Sequence, residues 1–207
     1  MKTVWEFTDY LDSQAAMRRR ELTTLSLAVR KQADPNKAFL SRWAVACAYA
    51  HFEGFVVDSG RKYIEHIALQ GQAFVRLKNE LKVNALHVKL RSLEKTDRVW
   101  MYLEVVEILQ GAKPANVDAS VIDAQDNLKF EVFKDILVCC GFDPRPYQTM
   151  SLYIDNELLA VRNRIAHGSL EPVSEDDAVM ACNFARGVID VLHIAFSNGA
   201  SSKTYLI

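Results

Sequence analysis

The sequence predicts an all-α fold, a bundle of about five long helices with short additional helices, and three observations carry that reading. Apolar residues recur at three- and four-residue steps over long stretches. Gly and Pro fall at the ends of those stretches, with a capping Ser at the start of the last. No stretch shows the period-two alternation between hairpin turns that a half-buried strand leaves. With 207 residues, half of them hydrophobic, one sizeable core can form, so 1–207 is expected to be a single domain.

The first helix is expected over about Thr3 to Ala33. Phe7, Tyr10, Leu11, Ala15, Leu22, Leu25 and Val29 repeat along one side, with Arg18-Arg19-Arg20 placed on the wet side. Asp34-Pro35-Asn36 ends it, because proline stops a preceding helix and can start the next. The second helix then runs from about Asn36 to Leu69. Its first half, Phe39 to Val57, is nearly apolar all round apart from Arg42, His51 and Glu53, which predicts a central, deeply buried helix. A buried Glu53 needs a partner, and an arginine would serve.

In residues 71–95, Phe74, Leu77, Leu81 and Leu86 fit short helices or a loop-rich insertion, and helix is the reading taken. Asp97 to Gln110 reads as a helix with Val99, Trp100, Leu103, Val106 and Leu109 on one stripe and Gly111 as its stop. Residues 112–126 read as a turn-rich surface connection. Asn127 to Cys140 is the next helix, closed by Gly141, and Asp143-Pro144-Arg145-Pro146 is a rigid elbow. Ser174, followed by Glu175, Asp176 and Asp177, supplies a hydroxyl cap and three acids at the positive end of the last helix. That helix is expected to reach about Phe196. The tail 198–207 is either flexible or docked by Tyr205, Leu206 and Ile207.

A net charge of -1 gives no overall attraction to a nucleic-acid backbone, but the charge is unevenly spread. Arg76 to Arg98 holds seven Lys/Arg against three acids, and Glu104 to Asp135 holds seven acids against three Lys. A basic face is what an RNA-contacting surface needs, and equally what a solvated helix shows. Cys47, Cys139, Cys140 and Cys182 include no C-x2-C pair. Reduced thiols and a cytoplasmic location are therefore expected, with no signal peptide read at the start. No apolar run reaches the roughly 18 residues that span a bilayer. No glycine-rich phosphate loop, H-E-x-x-H or E-x-x-H pair is present, so no cofactor and no metal are expected.

The chemistry is placed in Asp155 to Gly168, D-N-E-L-L-A-V-R-N-R-I-A-H-G. Leu158, Leu159, Val161 and Ile165 form its apolar stripe, and Gly168 stops it. His167 therefore falls in the last turn, at the negative end of the helix dipole, where a protonated imidazole is favoured. Arg162 lies five residues earlier, about 140° around a regular helix. Those two side chains do not converge easily within one chain, and would meet if this helix end faced its own copy.

The R-N-x-I-A-H-G stretch from Arg162 to Gly168 resembles the HEPN superfamily, small all-helical proteins that include many metal-independent endoribonucleases. Ala48-Tyr49-Ala50-His51-Phe52-Glu53-Gly54-Phe55-Val56 looks like the helix-2 signature of stand-alone prokaryotic members. Together the two stretches take in most of the chain. By that resemblance His167 is the acid/base, Arg162 the phosphate-binding cation, and Asn163 the polar neighbour that orients them. Glu53 and Arg164 are supporting residues. Glu53 either holds Arg162 or Arg164 by a salt bridge or is a polar contact within its own helix. Arg164 either touches phosphate or is a solvated residue, the latter being favoured. His51, His66, His87 and His193 are read as packing or surface residues. The resemblance implies an RNA substrate, a homodimer, and a toxin or phage-defence effector restrained by an inhibitory partner protein. Some members carry a tyrosine two residues after the histidine, modified by a partner nucleotidyltransferase; here that position is Ser169. Two alternatives stand against the enzyme. Arg162 and His167 could cap a helix end and pair with surface acids, or the chain could be a silent helical module that binds a protein or nucleotide.

Overall fold

The computed structural model describes residues 1–33, 36–93, 98–111 and 114–207, with the side chains of 88–93, 98, 101, 102 and 104 outside that description. Its α-helices are α1 (Val4–Lys31), α2 (Lys37–Leu69), α3 (Asn79–Leu93), α4 (Arg98–Gln110), α5 (Phe130–Cys139), α6 (Ala160–Ala166) and α7 (Glu175–Ser201). Among the described residues there is no strand, only isolated bridges between Ala73 and Pro114 and between Leu77 and Leu206. The chain is an all-α bundle, as the sequence predicts.

The bundle is organised around α1, α2 and α7, which pack on one another along their lengths. Helix α1 begins with a capping box: the Thr3 hydroxyl accepts the Glu6 N–H, and the Glu6 carboxylate accepts back from the Thr3 N–H. Ser174 caps α7 by its hydroxyl alone, accepting the Asp177 N–H at 3.0 Å. Helix α2 carries the centre of the core. Phe52 is fully buried, and its ring lies against those of Tyr49, Phe133 and Phe184. Burial of one such side chain contributes about 1.5–3 kcal/mol. Against the expectation from the sequence, helix α7 is by length and composition apolar enough to cross a membrane, and within the bundle its Ala178, Ala185, Ile189 and Leu192 are buried.

Several expectations are corrected. Arg18 does not lie on the wet side. It falls on the buried stripe of α1 between Ala15 and Leu22, packs over Gly54 and pairs with Asp58 at 2.9 Å. The first half of α2 is not buried all round, since Phe39 and Trp43 are half exposed and meet edge to face at 6.1 Å. In α4 the stripe of Val99, Trp100, Leu103, Val106 and Leu109 faces outward. The connection before α5 is not a surface loop throughout, because Val117, Ile122 and Ala124 are buried and Asp118 caps a 3-10 turn at Ala119–Val121.

Residues Phe74–Arg76 form a 3-10 turn, and Phe74, Leu77, Leu81 and Ala85 enter the core. The last helix outruns its expected end and reaches Ser201. The remaining tail is docked: Tyr205 is buried, the Lys78 N–H donates to the Tyr205 carbonyl at 2.9 Å, and the Ile207 N–H donates to Arg76 at 2.9 Å. All four cysteines are free thiols. Of the basic run, Arg76, Lys78 and Lys82 are described, while the side chains of Lys89, Arg91, Lys95 and Arg98 lie outside the described residues.

Candidate active site

The helix that carries the motif is irregular. Ser151 and Leu152 are α-helical, Tyr153–Leu159 widen into a π-helix, and α6 then runs to Ala166. A π-segment rotates everything downstream of it relative to a regular helix. Ile154, Leu158 and Leu159 anchor this stretch in the core. Asp155 ties it sideways, its Oδ1 accepting the Phe130 N–H at the open start of α5 at 2.8 Å. That link sets the strand of chain before α5, Asn127 to Lys129, against α6.

Arg162 is held by what this arrangement brings to it. One terminal nitrogen donates to Asn127 Oδ1 at 3.0 Å and to Asn163 Oδ1 at 2.8 Å. Its Cζ sits 4.8 Å from the centroid of the Tyr49 ring, over the negative face of the π-system. Tyr49 is buried, and its hydroxyl accepts the Leu128 N–H at 2.7 Å. Burial first, then a side-chain hydrogen bond to Glu53, pushes the Tyr49 phenol well above its ordinary range. Tyr49 and Glu53 are one helical turn apart on α2.

The sequence left Glu53 two roles, and the salt bridge to Arg162 or Arg164 is not formed among the described residues. Glu53 forms no ion pair with a described residue, and its Oε2 is buried without a hydrogen-bond partner. Arg164 points elsewhere, pairing with Glu171 at 3.1 Å where both side chains are at least half exposed. Exposed pairs of that kind contribute little to stability. Arg162 thus differs from Arg164 in kind. Its cation rests on two amide oxygens and a ring, and it forms no ion pair with a described carboxylate.

The helix stops as its sequence dictates. Gly168 has φ +82, its N–H donates to Ile165 at 3.0 Å, and the Ser169 N–H donates to Arg164 at 2.9 Å. This is the left-handed stop that glycine adopts without steric cost. His167, the residue before it, is exposed, and its side chain makes no hydrogen bond or ion pair with a described residue. Within one chain, then, Arg162 and Asn163 are joined, while His167 stands apart from them on the surface. Among the described residues no three His, Cys, Asp or Glu side chains gather as a metal-ligand set.

Sequence reading missed Asn127, Asp155 and the part played by Tyr49. Asn127 lies 35 residues from Arg162, and its only local signal was its place at the expected start of a helix, which the structure begins at Phe130 instead. Tyr49 stood inside the quoted helix-2 stretch, four residues before Glu53.

A family model described as RiboL-PSP-HEPN matches residues 13–198. The chain belongs to the HEPN superfamily. No curated protein and no solved structure matches it. The match takes in both the Tyr49–Glu53 stretch of α2 and the Arg162–His167 stretch of α6. HEPN membership supports an RNA-related role for the chain.

Proposed function

We propose that this HEPN protein is a metal-independent endoribonuclease that works as a homodimer, with Arg162, Asn163 and His167 as its catalytic set. The observation that carries the proposal is the state of Arg162. A guanidinium held by neutral acceptors keeps its full charge for an incoming anion, and its planar fork suits two phosphate oxygens. His167 lies nearby in sequence, exposed and unpaired, on a residue type that takes and gives protons near neutrality.

The reaction needs a base, an acid and a cation. One imidazole removes the proton from a ribose 2′-hydroxyl, and the 2′-oxygen attacks the adjacent phosphorus. The bond from phosphorus to the 5′-oxygen breaks, and an imidazole, either the one that took the 2′ proton or its two-fold mate, protonates that leaving oxygen. The products are a 2′,3′-cyclic phosphate and a 5′-hydroxyl. Arg162 stabilises the charge on the pentacoordinate phosphorus. Two copies of the α6 end around a two-fold axis supply two imidazoles and two guanidinia, which one chain does not. Asn163 orients Arg162, and Tyr49 with Glu53 and Asn127 fixes its height above α2.

In a cell this activity suits a toxin or a phage-defence effector restrained by a partner protein. Expression of the wild type and of His167→Ala tests the reading. The wild type is expected to slow growth and fragment RNA while the variant does neither. Equal growth and intact RNA with both proteins, at matched expression, would count against it.

A further inference from the structure

The motif helix has a second face, and it borders a cleft of about 310 Å3. Val161 and Ile165 of α6 form one wall, and Val173 and Met180 from the loop and α7 form the other. Tyr153 completes the apolar surface, its ring leaning on Phe184 at 4.4 Å between centroids. This size falls at the small end of ligand sites, enough for one flat ring system and its sugar.

The polar groups of the cleft are unequal. Arg164 is its one described cation and already pairs with Glu171 at 3.1 Å. Asp177 accepts the Ser174 hydroxyl at 2.6 Å as part of the α7 cap. Glu157 makes no hydrogen bond or ion pair with a described residue, so its carboxylate is uncommitted. Such a lining repels phosphate and offers acceptors to a neutral ligand rich in donors.

Position narrows the ligand further. Arg164 on the rim and His167 are three residues apart, neighbours on a helix surface. A nucleotide whose phosphate lies at His167 therefore has its base, or that of the adjacent residue, within reach of the cleft. Single-stranded RNA is read by stacking bases on aromatic side chains and bonding their Watson–Crick edges. A carboxylate is an acceptor with two oxygens. Guanine alone places two donors, N1–H and the N2 amine, side by side on that edge. Adenine and cytosine set a ring-nitrogen acceptor beside their amine, and uracil flanks its single donor with carbonyls.

We propose that this cleft is a guanine-binding subsite, in which Glu157 accepts from N1–H and the N2 amine while the base packs on Tyr153. The inference rests on RNA being the substrate, and it names the base set beside the cut.

Binding separates it from catalysis. Fluorescence anisotropy with His167→Ala protein would compare short single-stranded RNAs that differ at one position: guanosine, inosine, which lacks the N2 amine, or adenosine. A good bidentate contact gives roughly tenfold discrimination, so the guanosine RNA is expected to bind about ten times more tightly than either other. Adding Glu157→Gln, an exposed substitution, should bring the three within about twofold. Equal binding of all three RNAs by the His167→Ala protein would overturn the subsite and leave the cleavage reading standing. A guanosine preference that survives Glu157→Gln would overturn the assignment to Glu157. No RNA bound by this protein, together with no RNA cut by the wild type, would overturn both.

Discussion

Arg162 lies over the ring of Tyr49, Cζ 4.8 Å from the centroid, while the hydroxyl of that ring holds the Leu128 N–H at 2.7 Å. One buried side chain of α2 therefore supports the proposed catalytic cation and fixes the chain leading into α5. The two jobs are separable. Tyr49→Phe keeps the ring but leaves a buried N–H unsatisfied, at a cost of about 1–3 kcal/mol in urea unfolding. Tyr49→Leu also removes the platform, a contact of about 0.5–2 kcal/mol, so RNA cleavage should fall much further with Leu than with Phe. Equal cleavage by the two variants would show that the ring does not position Arg162.

The motif residues should divide sharply. Loss of a positioned acid/base group costs roughly 100- to 10,000-fold in rate. His167→Ala and Arg162→Ala are expected in that range, with an unchanged circular dichroism spectrum. Arg164→Lys should cost much less, since Arg164 is an exposed partner of Glu171. A His167→Ala protein as fast as wild type would remove His167 from the site.

The helical class, the order of the long helices and the stop at Gly168 were legible because they are local properties. A 3.6-residue apolar period and a glycine after it act within a few residues of themselves. What was hidden depends on distant partners. Arg18 sits on the apolar spacing of α1, yet its charge argued for solvent, and only Asp58, 40 residues on, explains its burial. The α4 stripe is as regular as that of α1, but periodicity does not say which stripe finds a cover. In the site, Arg162, Asn163 and His167 were visible as a motif. Asn127 and the Tyr49 platform were not, because their contacts with Arg162 exist only when α2, α6 and the start of α5 meet.

Acid should loosen the core before it touches the surface pairs. His66 is fully buried, stacked on Phe7 at 5.3 Å, with Nδ1 3.3 Å from the Met1 carbonyl. Burial, the largest effect, holds its pKa below the usual value, so the folded state prefers the neutral ring. The unfolded chain then binds a proton at a higher pH than the folded one. Stability is accordingly full above about pH 6.5, the unfolded value, and declines as pH falls toward the lower folded value. Urea midpoints between pH 7.5 and 5 should show this decline in the wild type. A flatter profile is expected for His66→Gln, and an identical slope would remove His66 as the cause.

The two-fold site makes a prediction about mixtures. Arg162→Ala and His167→Ala are each expected to be inactive, but a hybrid dimer holds one intact arginine and one intact histidine from opposite protomers. Co-expression should return a measurable fraction of wild-type cleavage. Hybrids that stay inactive despite proven exchange would mean that each site uses its own chain's pair or needs all four side chains.

The most direct test is the chemistry of the cut RNA ends. Purified protein is incubated with single-stranded RNA in excess EDTA, and the new termini are identified by mass spectrometry. Cleavage should persist in the chelator, leave a 2′,3′-cyclic phosphate or its 3′-phosphate product opposite a 5′-hydroxyl, and vanish in His167→Ala. Cleavage that stops with EDTA and returns with magnesium would contradict a site built from Arg162 and His167 alone.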